Sequence, residues 1–354
     1  MSDASPEIAL PGGSAFLAGA PHARGEAPAA SAVLRRSPED FVVDEIMPID
    51  LTGEGEHLWL HVEKRGLDTP RVAGALAAHY GVRERDVGYA GLKDRHALTR
   101  QWFSLPAPVT AELPAPPSAD GFRCLRATRH RRKLRRGTHA GNRFELTLRD
   151  FEGERAAADA DLARVARDGC PNYFGPQRFG RDDGNLDLGR ALLRGHRMRR
   201  GTRRGLALSA LRSDLFNAVL AARVANGTWN RLLDGEAAAL DGSRSVFAVT
   251  DAADATLQRR LAEFDIHPSG PLPGRGGDTV AGAAAAFEAE VLAGYREAVS
   301  GLARLGVDAD RRALRLRPAD LTWTWPGPAT LRLTFDLPSG AFATTVLREI
   351  VAVR

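Results

Sequence analysis

The sequence predicts an α+β protein in which both ends of the chain build one sheet domain around a mainly helical insertion. Alternating apolar residues indicate strands before residue 152, and strands return after Pro318. The middle of the chain has mostly helical patterns. Strands at the two ends need a common sheet, which gives a mixed, largely antiparallel sheet with helices. The expected divisions are a flexible tail over 1–30, a first part of the sheet domain over 31–174, an insertion over 175–312 and a return to the sheet domain over 313–354.

The first part of the chain begins with an Ala-, Gly- and Pro-rich segment of few large apolar residues, which predicts the flexible tail. Turn residues Ser37–Asp40 precede a strand that begins at Phe41. A second strand is predicted over 57–66. Thr69 is a plausible helix N-cap, because Pro70 suits the first turn and Gly81 suits the end.

A short strand then enters the stretch GYAGLKDRHALTRQWF (88–103), with the next strand over 99–105. Residues 106–119 are a Pro/Ala-rich linker. Further strands over 121–130 and 142–151 lead to a helix over 154–169. After the helical middle, with an Ala-rich helix over 281–304, LTWTW and TLRLTFDL form a hairpin and AFATTVLREIVAV (341–353) a closing helix.

Composition narrows the class of protein. The 354 residues carry a net charge of +5, and the pI is about 9.7. Cys124 and Cys170 are too few for a four-cysteine zinc site and fit a reducing cytosol. We expect no metal, no membrane span and no signal peptide. Two basic blocks, RCLRATRHRRKLRR (123–136) and RGHRMRRGTRR (194–204), are typical of phosphate-backbone binding, although such blocks also occur as solvated faces.

Asp94 is the strongest candidate for chemistry. It lies at a strand end among Lys93, Arg95, His96 and Arg100, and nearby cations favour the charged form of a carboxylate. Such an anion can act as a nucleophile or a base, or it can form a structural salt bridge.

Two further positions fit the recognition of a flat heterocycle. Asn142 can donate and accept hydrogen bonds, and Phe144 lies on the same face of a strand. Phe41 and Phe342 each follow a turn and are otherwise typical core residues. The chain lacks a GxGxxG after a strand and a P-loop, which argues against a nucleotide cofactor.

Five segments in this order resemble the signature blocks of the TruD family of tRNA pseudouridine synthases, from about residue 33 to the C-terminus. They are PEDFVVDE, GYAGLKDRHALTRQWF, HAGNRFELTLRD, CPNYFGPQRFGRDDGN and FDLPSGAFATTVLREI. The resemblance implies a permuted pseudouridine synthase fold with an inserted domain. It also implies a substrate, the uridine at position 13 in the D arm of tRNA.

The resemblance also implies site residues. Asp94 matches the family's catalytic aspartate, and Asn142 and Phe144 match its GNxF motif. Phe41 and Phe342 match its conserved phenylalanines. The family usually has a lysine where Arg35 stands, and the two cations are not interchangeable. Lys93, Arg35 or Arg95 would keep Asp94 ionised.

The implied reaction is an isomerisation, in which the N1–C1′ bond breaks and C5 bonds to C1′. It requires no redox or nucleotide cofactor. The uridine must leave its helix, at an energy of a few kcal/mol. Phosphate contacts could offset this, and stacking on Phe144 could contribute about 1–3 kcal/mol. Asp94 would attack C1′ or remove the C2′ proton. We expect a cytoplasmic monomer whose partner is tRNA, with these backbone contacts: Arg131, Arg132, Lys133, Arg135 and Arg136.

Two other functions are compatible with the residues. A non-catalytic RNA-binding module would use the basic blocks and would leave Asp94 structural. A nucleoside or glycoside hydrolase would use a carboxylate pair such as Asp94 and Glu84, roughly 5–10 Å apart. The cationic surroundings of Asp94 fit a neutral sugar poorly.

Overall fold

The computed structural model of the chain describes residues 8–110, 112, 114–277 and 279–354. These residues form two compact units. The sheet unit comprises Ala29–Ala158, Pro318–Ala343 and Val351–Arg354. The helical unit comprises Asp159–Arg317, Thr344–Ile350 and the described residues up to Pro28. The predicted insertion, 175–312, therefore lies within the Asp159–Arg317 segment of the helical unit.

The strands follow the alternating patterns of the sequence closely. In chain order they are β1 Ser31–Val33, β2 Phe41–Ile46, β3 His57–Arg65, β4 Gly88–Tyr89, β5 Leu98–Pro106, β6 Ser118–Ala119, β7 Phe122–His130, β8 Gly141–Glu152, β9 Cys170–Pro171, β10 Ala237–Leu240, β11 Val246–Ala248, β12 Ile266–His267, β13 Ser269–Leu272, β14 Asp310–Ala313, β15 Arg315–Leu316, β16 Ala319–Gly327, β17 Thr330–Pro338 and β18 Ala352–Val353.

The α-helices are concentrated in the middle of the chain. They are α1 Gly13–Gly19, α2 Thr69–His79, α3 Arg155–Asp168, α4 Gly184–Leu193, α5 Thr202–Ala225, α6 Ala255–Ala262, α7 Gly282–Leu292, α8 Arg296–Arg304 and α9 Ala343–Leu347.

The described strands of the sheet unit form one 11-stranded sheet. Its order is β16-β17-β8-β2-β5-β3-β7-β6, with β4 beside β5, β1 beside β8 and β18 beside β1. The β2–β5 and β1–β18 pairs are parallel, and the other neighbours are antiparallel. This mixed, largely antiparallel sheet with helices confirms the predicted α+β class.

Strand register assigns the side chains to two faces. The front face carries Lys64, Thr99, Val43, Phe144 and Phe335, which are paired across neighbouring strands. Because side chains alternate along a strand, the intervening residues form the rear face.

Helix α2 packs on the front face. Its Val72 and Leu76 join Leu60, Val62 and Phe103 in one buried cluster. Burying each of these side chains stabilises the fold by about 1.5–3 kcal/mol. The rear face has its own cluster, which includes Trp59 and Trp102.

The helical unit is built around α5, whose 24 residues are buried on most sides. Helices α4 and α8 pack against it through a cluster that includes Leu186, Leu211 and Leu302. Among the described residues of this unit, short strands form three small sheets: β11-β10-β12, β13-β14 and β15-β9.

The expected flexible tail needs correction for residues 8–30. Helix α1 forms there, and Ile8 and Leu17 are buried. The buried carboxylate of Asp214 accepts hydrogen bonds from the backbone N–H groups of Gly12 (3.1 Å) and Gly13 (2.8 Å). Buried apolar residues and hydrogen bonds to several carboxylates, among them Asp183 and Glu349, thus order the segment. Residues 1–7 of the predicted tail lie outside the described residues.

Other element predictions also differ from the structure. The predicted closing helix is shortened to α9, and the chain then forms β18, which pairs with β1. The Ala-rich helix is divided into α7 and α8 by a short 3-10 helix, Ala293–Tyr295. In the predicted linker, Ser118–Ala119 forms β6, and residues 111 and 113 lie outside the described residues.

Candidate active site

The loop that carries Asp94 connects β4 to β5 and is fixed through its backbone. The Gln101 side chain donates to the Gly91 carbonyl (3.2 Å), and the Lys93 N–H donates to the Thr69 hydroxyl (3.0 Å). That hydroxyl donates in turn to Gln101 (2.9 Å). Asp68, rather than the predicted Thr69, is the N-cap of α2. The buried Thr69 hydroxyl does not cap the helix and is therefore available to hydrogen-bond to the Asp94 loop.

Asp94 has a defined orientation and remains accessible. Its Oδ2 lies 2.7 Å from Nη2 of Arg35, and its Oδ1 accepts a hydrogen bond from the His96 N–H (2.9 Å). Its side chain is 33% exposed. Its backbone carbonyl accepts a hydrogen bond from Nζ of Lys64 (2.8 Å). The carboxylate is therefore held by a cation and yet open to a ligand.

Arg35 is the cation that the structure places against Asp94. Its guanidinium carbon lies 4.1 Å from the centre of the Phe41 ring, within cation–π distance. Its φ of 64° is in the left-handed region, which non-glycine residues rarely adopt outside constrained sites. The family resemblance predicted Arg35 as a site residue.

The other cations near Asp94 in the sequence have different partners. Arg95 donates to the Gly66 carbonyl (3.3 Å), whereas Arg100 pairs with Asp44 and Glu63 on the rear face. Neither forms the salt bridge to Asp94 that we considered from the sequence.

Lys93 points to a buried polar cluster on the front face. Its Nζ lies 3.0 Å from Oε1 of Glu45 and donates to Oδ1 of Asn142 (2.6 Å). The other oxygen of Glu45 accepts the Trp102 N–H (3.0 Å). The side chains of Lys93 and Glu45 are 6% and 0% exposed. Asn142 is thus oriented by Lys93, and the two predicted residues meet.

An aromatic wall lies beside this cluster. Phe144 contacts Phe41 edge-on, with 6.0 Å between ring centres, and stacks on Phe335 at 5.6 Å. Phe41 and Phe144 are both buried, so their rings form an apolar side of the site rather than an exposed platform. Phe342 lies half-buried between β17 and α9.

His139 completes the front of the site. Its Nε2 lies 3.2 Å from the Ser339 hydroxyl. Burial, together with the nearby Lys93 ammonium, lowers the pKa of His139, so the ring is neutral at pH 7. A Cβ at Gly91 would lie 3.3 Å from Cε1 of His139, and one at Gly141 would lie 2.3 Å from the Leu337 carbonyl oxygen. Glycine therefore allows both close approaches.

The first basic block borders two clefts of about 860 and 690 Å³ in the sheet unit. Its arginines are exposed except Arg129, which is half-buried like Lys133. The backbone is fixed by Trp59, which donates to the Arg132 carbonyl (2.8 Å), and by Ser104, which accepts the Leu134 N–H (2.8 Å). Neither cleft is lined by Asp94. The block's arginines and lysine at these clefts are Arg131, Arg132, Lys133, Arg135 and Arg136.

Sequence reasoning missed Lys64, Glu45 and His139. Lys64 follows Leu60 and Val62 at alternate positions of β3, so its burial on the front face could have been inferred. Glu45 follows Phe41 and Val43 in the same way on β2. For His139, which precedes β8, the sequence offered only its place in the HAGNRF segment.

An accessible carboxylate with an arginine partner, beside an apolar wall on an α+β sheet, is an arrangement suited to an enzyme of nucleophilic or acid–base chemistry. In the described residues, no helix is both long enough and apolar enough to cross a membrane.

Comparison with known proteins gives the family. The model of the family described as tRNA pseudouridine synthase D (TruD) matches residues 23–199 and 202–350. Proteins named tRNA pseudouridine synthase D are 49% identical in Nitrosococcus oceani, over 92% of each chain, and 49% identical in Pseudomonas aeruginosa, over 94% of this chain and 93% of that one. This chain therefore belongs to the TruD family.

A solved structure shows the same fold. It is that of a putative tRNA pseudouridine synthase D (TruD) from Methanosarcina mazei, with a TM-score of 0.70. The match covers 91% of this chain and 93% of that chain at 22% sequence identity.

Proposed function

We propose that this protein is a tRNA pseudouridine synthase that isomerises the uridine at position 13, in the D arm of tRNA. The observation that carries the proposal is the accessible Asp94 carboxylate, paired with Arg35 in a TruD-family chain. The names of the relatives support tRNA as the substrate.

Asp94 acts at the ribose of the flipped uridine. One carboxylate oxygen either attacks C1′ or removes the C2′ proton, and both routes break the N1–C1′ bond. In the first route, C5 of uracil bonds to C1′ and displaces the Asp94 oxygen; in the second, C5 bonds to C1′ and Asp94 returns its proton to C2′. C5 then loses its proton to solvent while N1 takes up a proton, so the atoms balance. Arg35 and the His96 N–H hold the carboxylate in its reactive orientation.

The front face holds the detached uracil while it turns. The buried Phe41 and Phe144, with the half-buried Phe342, supply an apolar wall that limits escape of the base. Asn142, fixed by Lys93, offers its amide N–H groups to a carbonyl oxygen of the base. In this arrangement Phe144 contributes packing within the wall rather than an exposed stacking surface.

The RNA backbone binds the two basic blocks. Arg131, Arg132 and Arg135 are exposed on the sheet unit, and most of block 194–204 is exposed on the helical unit. Their phosphate contacts offset the energy of unstacking the uridine. We propose that the insertion, 175–312, clamps the tRNA with the second block.

We further propose that the protein acts as a cytoplasmic monomer without a nucleotide cofactor. An internal isomerisation needs neither an electron carrier nor a high-energy bond. Light scattering of the purified chain at working concentration should give a monomer mass, and activity should persist after extensive dialysis against chelator. A dimer mass or loss of activity would contradict this proposal.

The function is tested by mapping pseudouridine in an unmodified tRNA transcript after incubation with the purified protein. Carbodiimide-dependent primer-extension stops should report one new pseudouridine, at position 13. A transcript with cytidine at that position is the matched control and should show no stop there. Tight binding without product would favour an RNA-binding module, and release of free uracil would favour a hydrolase.

A further inference from the structure

Lys64 is a buried cation that the reaction described so far does not use. It follows Leu58, Leu60 and Val62 on the front face of β3, where the alternation would place another apolar residue. Only 1% of it is exposed. Lysine is almost never fully buried without a partner, because removing an ammonium group from water is costly. Its place in the sheet therefore requires an explanation.

The partners of Lys64 are two backbone carbonyls. Its Nζ donates to the oxygen of Leu67 (2.8 Å) and to the oxygen of Asp94 (2.8 Å). Among the described residues, no ion pair to a carboxylate accompanies these bonds. Leu67 lies in the turn that links β3 to α2. Lys64 therefore ties the Asp94 backbone to the buried core of the sheet.

This contact completes a set of buried anchors. The loop is also held at Gly91 by Gln101 and at Lys93 by Thr69, and these two side chains are fully buried. Those two anchors are neutral. Lys64 is the anchor that brings a positive charge to the residue whose carboxylate reacts.

We propose that Lys64 is a positioning residue for the isomerisation, which holds Asp94 from beneath by a hydrogen bond and by its charge, while Arg35 holds it from the accessible side. This inference rests on the proposed function of Asp94. Asp94 reaches solvent and Lys64 does not, so Lys64 acts through Asp94 and does not touch the substrate.

Burial lowers the pKa of Lys64 to about 8. The nearby charges act in both directions, because Asp94 and Asp68 raise the pKa and Lys93 lowers it. The strand neighbours of Lys64, Thr99 and Phe122, carry no charge. Lys64 is therefore an ammonium at pH 7 and loses its charge just above physiological pH. The neutral amine still has two N–H donors, so this change affects the charge more than the geometry.

The test compares Lys64→Met and Lys64→Arg with the wild type in single-turnover pseudouridine formation, with tRNA affinity measured in parallel. Leu60→Met is the matched control, a change of similar size on the same face of β3. Lys64→Met should bind tRNA within about threefold of wild type but react at least about 100-fold more slowly, because small displacements of a reacting group have effects of that size. Leu60→Met should react within about threefold of wild type.

The pH profile separates positioning from a structural role. The wild-type rate should fall as the pH rises through about 8, and Lys64→Arg should keep its pH 7 rate up to pH 9. A Lys64→Met rate within threefold of wild type, or the same alkaline fall in wild type and Lys64→Arg, would overturn the proposal. So would unfolding of both variants, since Lys64 would then serve the fold alone. A wild type that forms no pseudouridine would instead contradict the proposed function.

Discussion

The two faces of the sheet use charge in opposite ways. On the front face, Lys64, Lys93 and Glu45 are buried beneath or beside the Asp94 loop. On the rear face, charges of alternating sign cross six neighbouring strands and stay partly exposed. In sheet order they are Asp336, Arg143, Asp44, Arg100, Glu63 and Arg123.

The rear ladder is a set of cross-strand pairs. Arg143 lies 2.8 Å from Asp336, Arg100 lies 3.1 Å from Asp44 and 2.8 Å from Glu63, and Arg123 lies 2.8 Å from Glu63. Such pairs contribute about 0.2–1 kcal/mol each and disfavour like charges in a shifted register. The ladder therefore helps to specify strand pairing.

The front charges cannot be explained by stability in the same way. Desolvation of buried charges offsets much of their attraction, and apolar residues of similar volume often stabilise a fold as well or better. The front charges are found where the Asp94 loop and Asn142 are anchored. This difference indicates that the front face gives up some stability to orient the site.

The largest effect on stability is expected for Glu45→Ala. It leaves the buried Lys93 ammonium without its carboxylate and the Trp102 N–H without its acceptor. Urea unfolding should show a loss of about 3–5 kcal/mol. The double variant Glu45→Leu with Lys93→Met removes both charges and should lose less. A double variant as unstable as Glu45→Ala would contradict this interpretation of the front face.

The burial of Lys64 predicts a pH dependence of stability. Its pKa is about 8 in the folded chain and near 10.4 in the unfolded one, so between these values the unfolded chain binds more protons. Stability should therefore rise with pH in this window. Between pH 8 and pH 10, the free energy of unfolding should increase more in the wild type than in Lys64→Met, by at most about 3 kcal/mol. A smaller gain in wild type than in Lys64→Met would show that burial does not disfavour the charge.

Thr69→Val removes the hydroxyl that hydrogen-bonds to the Asp94 loop, while the shape of the side chain at position 69 stays almost the same. The Lys93 N–H and Gln101 then each lose a buried partner, which should cost about 1–3 kcal/mol. Thr69→Ser retains the hydroxyl and is the matched control. Equal unfolding midpoints for Thr69→Val and wild type would show that the loop does not depend on this bond.

The basic block contributes to affinity rather than to stability. Replacing Arg131, Arg132 and Arg135 with glutamate should weaken binding to all tRNAs. The slope of log Kd against log salt concentration should fall by about 2–3. Stability should change by less than about 1 kcal/mol, because these side chains are exposed. An unchanged salt slope would place the block away from the RNA.

The smallest effect is expected on the rear face. Arg143→Ala removes one end of an exposed pair with Asp336 and should cost less than about 1 kcal/mol. Activity should remain within about twofold of wild type. A loss as large as that of Glu45→Ala would erase the distinction between the two faces.

The sequence predicted much of this sheet because strand alternation and turn residues are local signals. It also led to Asp94, Phe41, Asn142 and Phe144 through their local context, and to Arg35 through the resemblance. The structure brings Arg35 to Asp94 and Asn142 to Lys93, contacts that join distant parts of the chain.

The features that could not be predicted from the sequence are those that depend on burial in the folded chain. Lys64 and Glu45 are charged residues at positions where the alternation fits an apolar side chain, and only the packed sheet shows that both are inside. Helix α1 was missed for a similar reason, since its order depends on Asp214, about 200 residues away.

The most direct measurement of the central claim is the single-turnover rate of Asp94→Asn on tRNA transcript, with Asp44→Asn as the matched change on the rear face. We expect Asp94→Asn to bind tRNA within a few-fold of wild type and to lose at least about 10³-fold in rate, and Asp44→Asn to stay within threefold. An Asp94→Asn variant that forms pseudouridine at close to the wild-type rate would contradict the account.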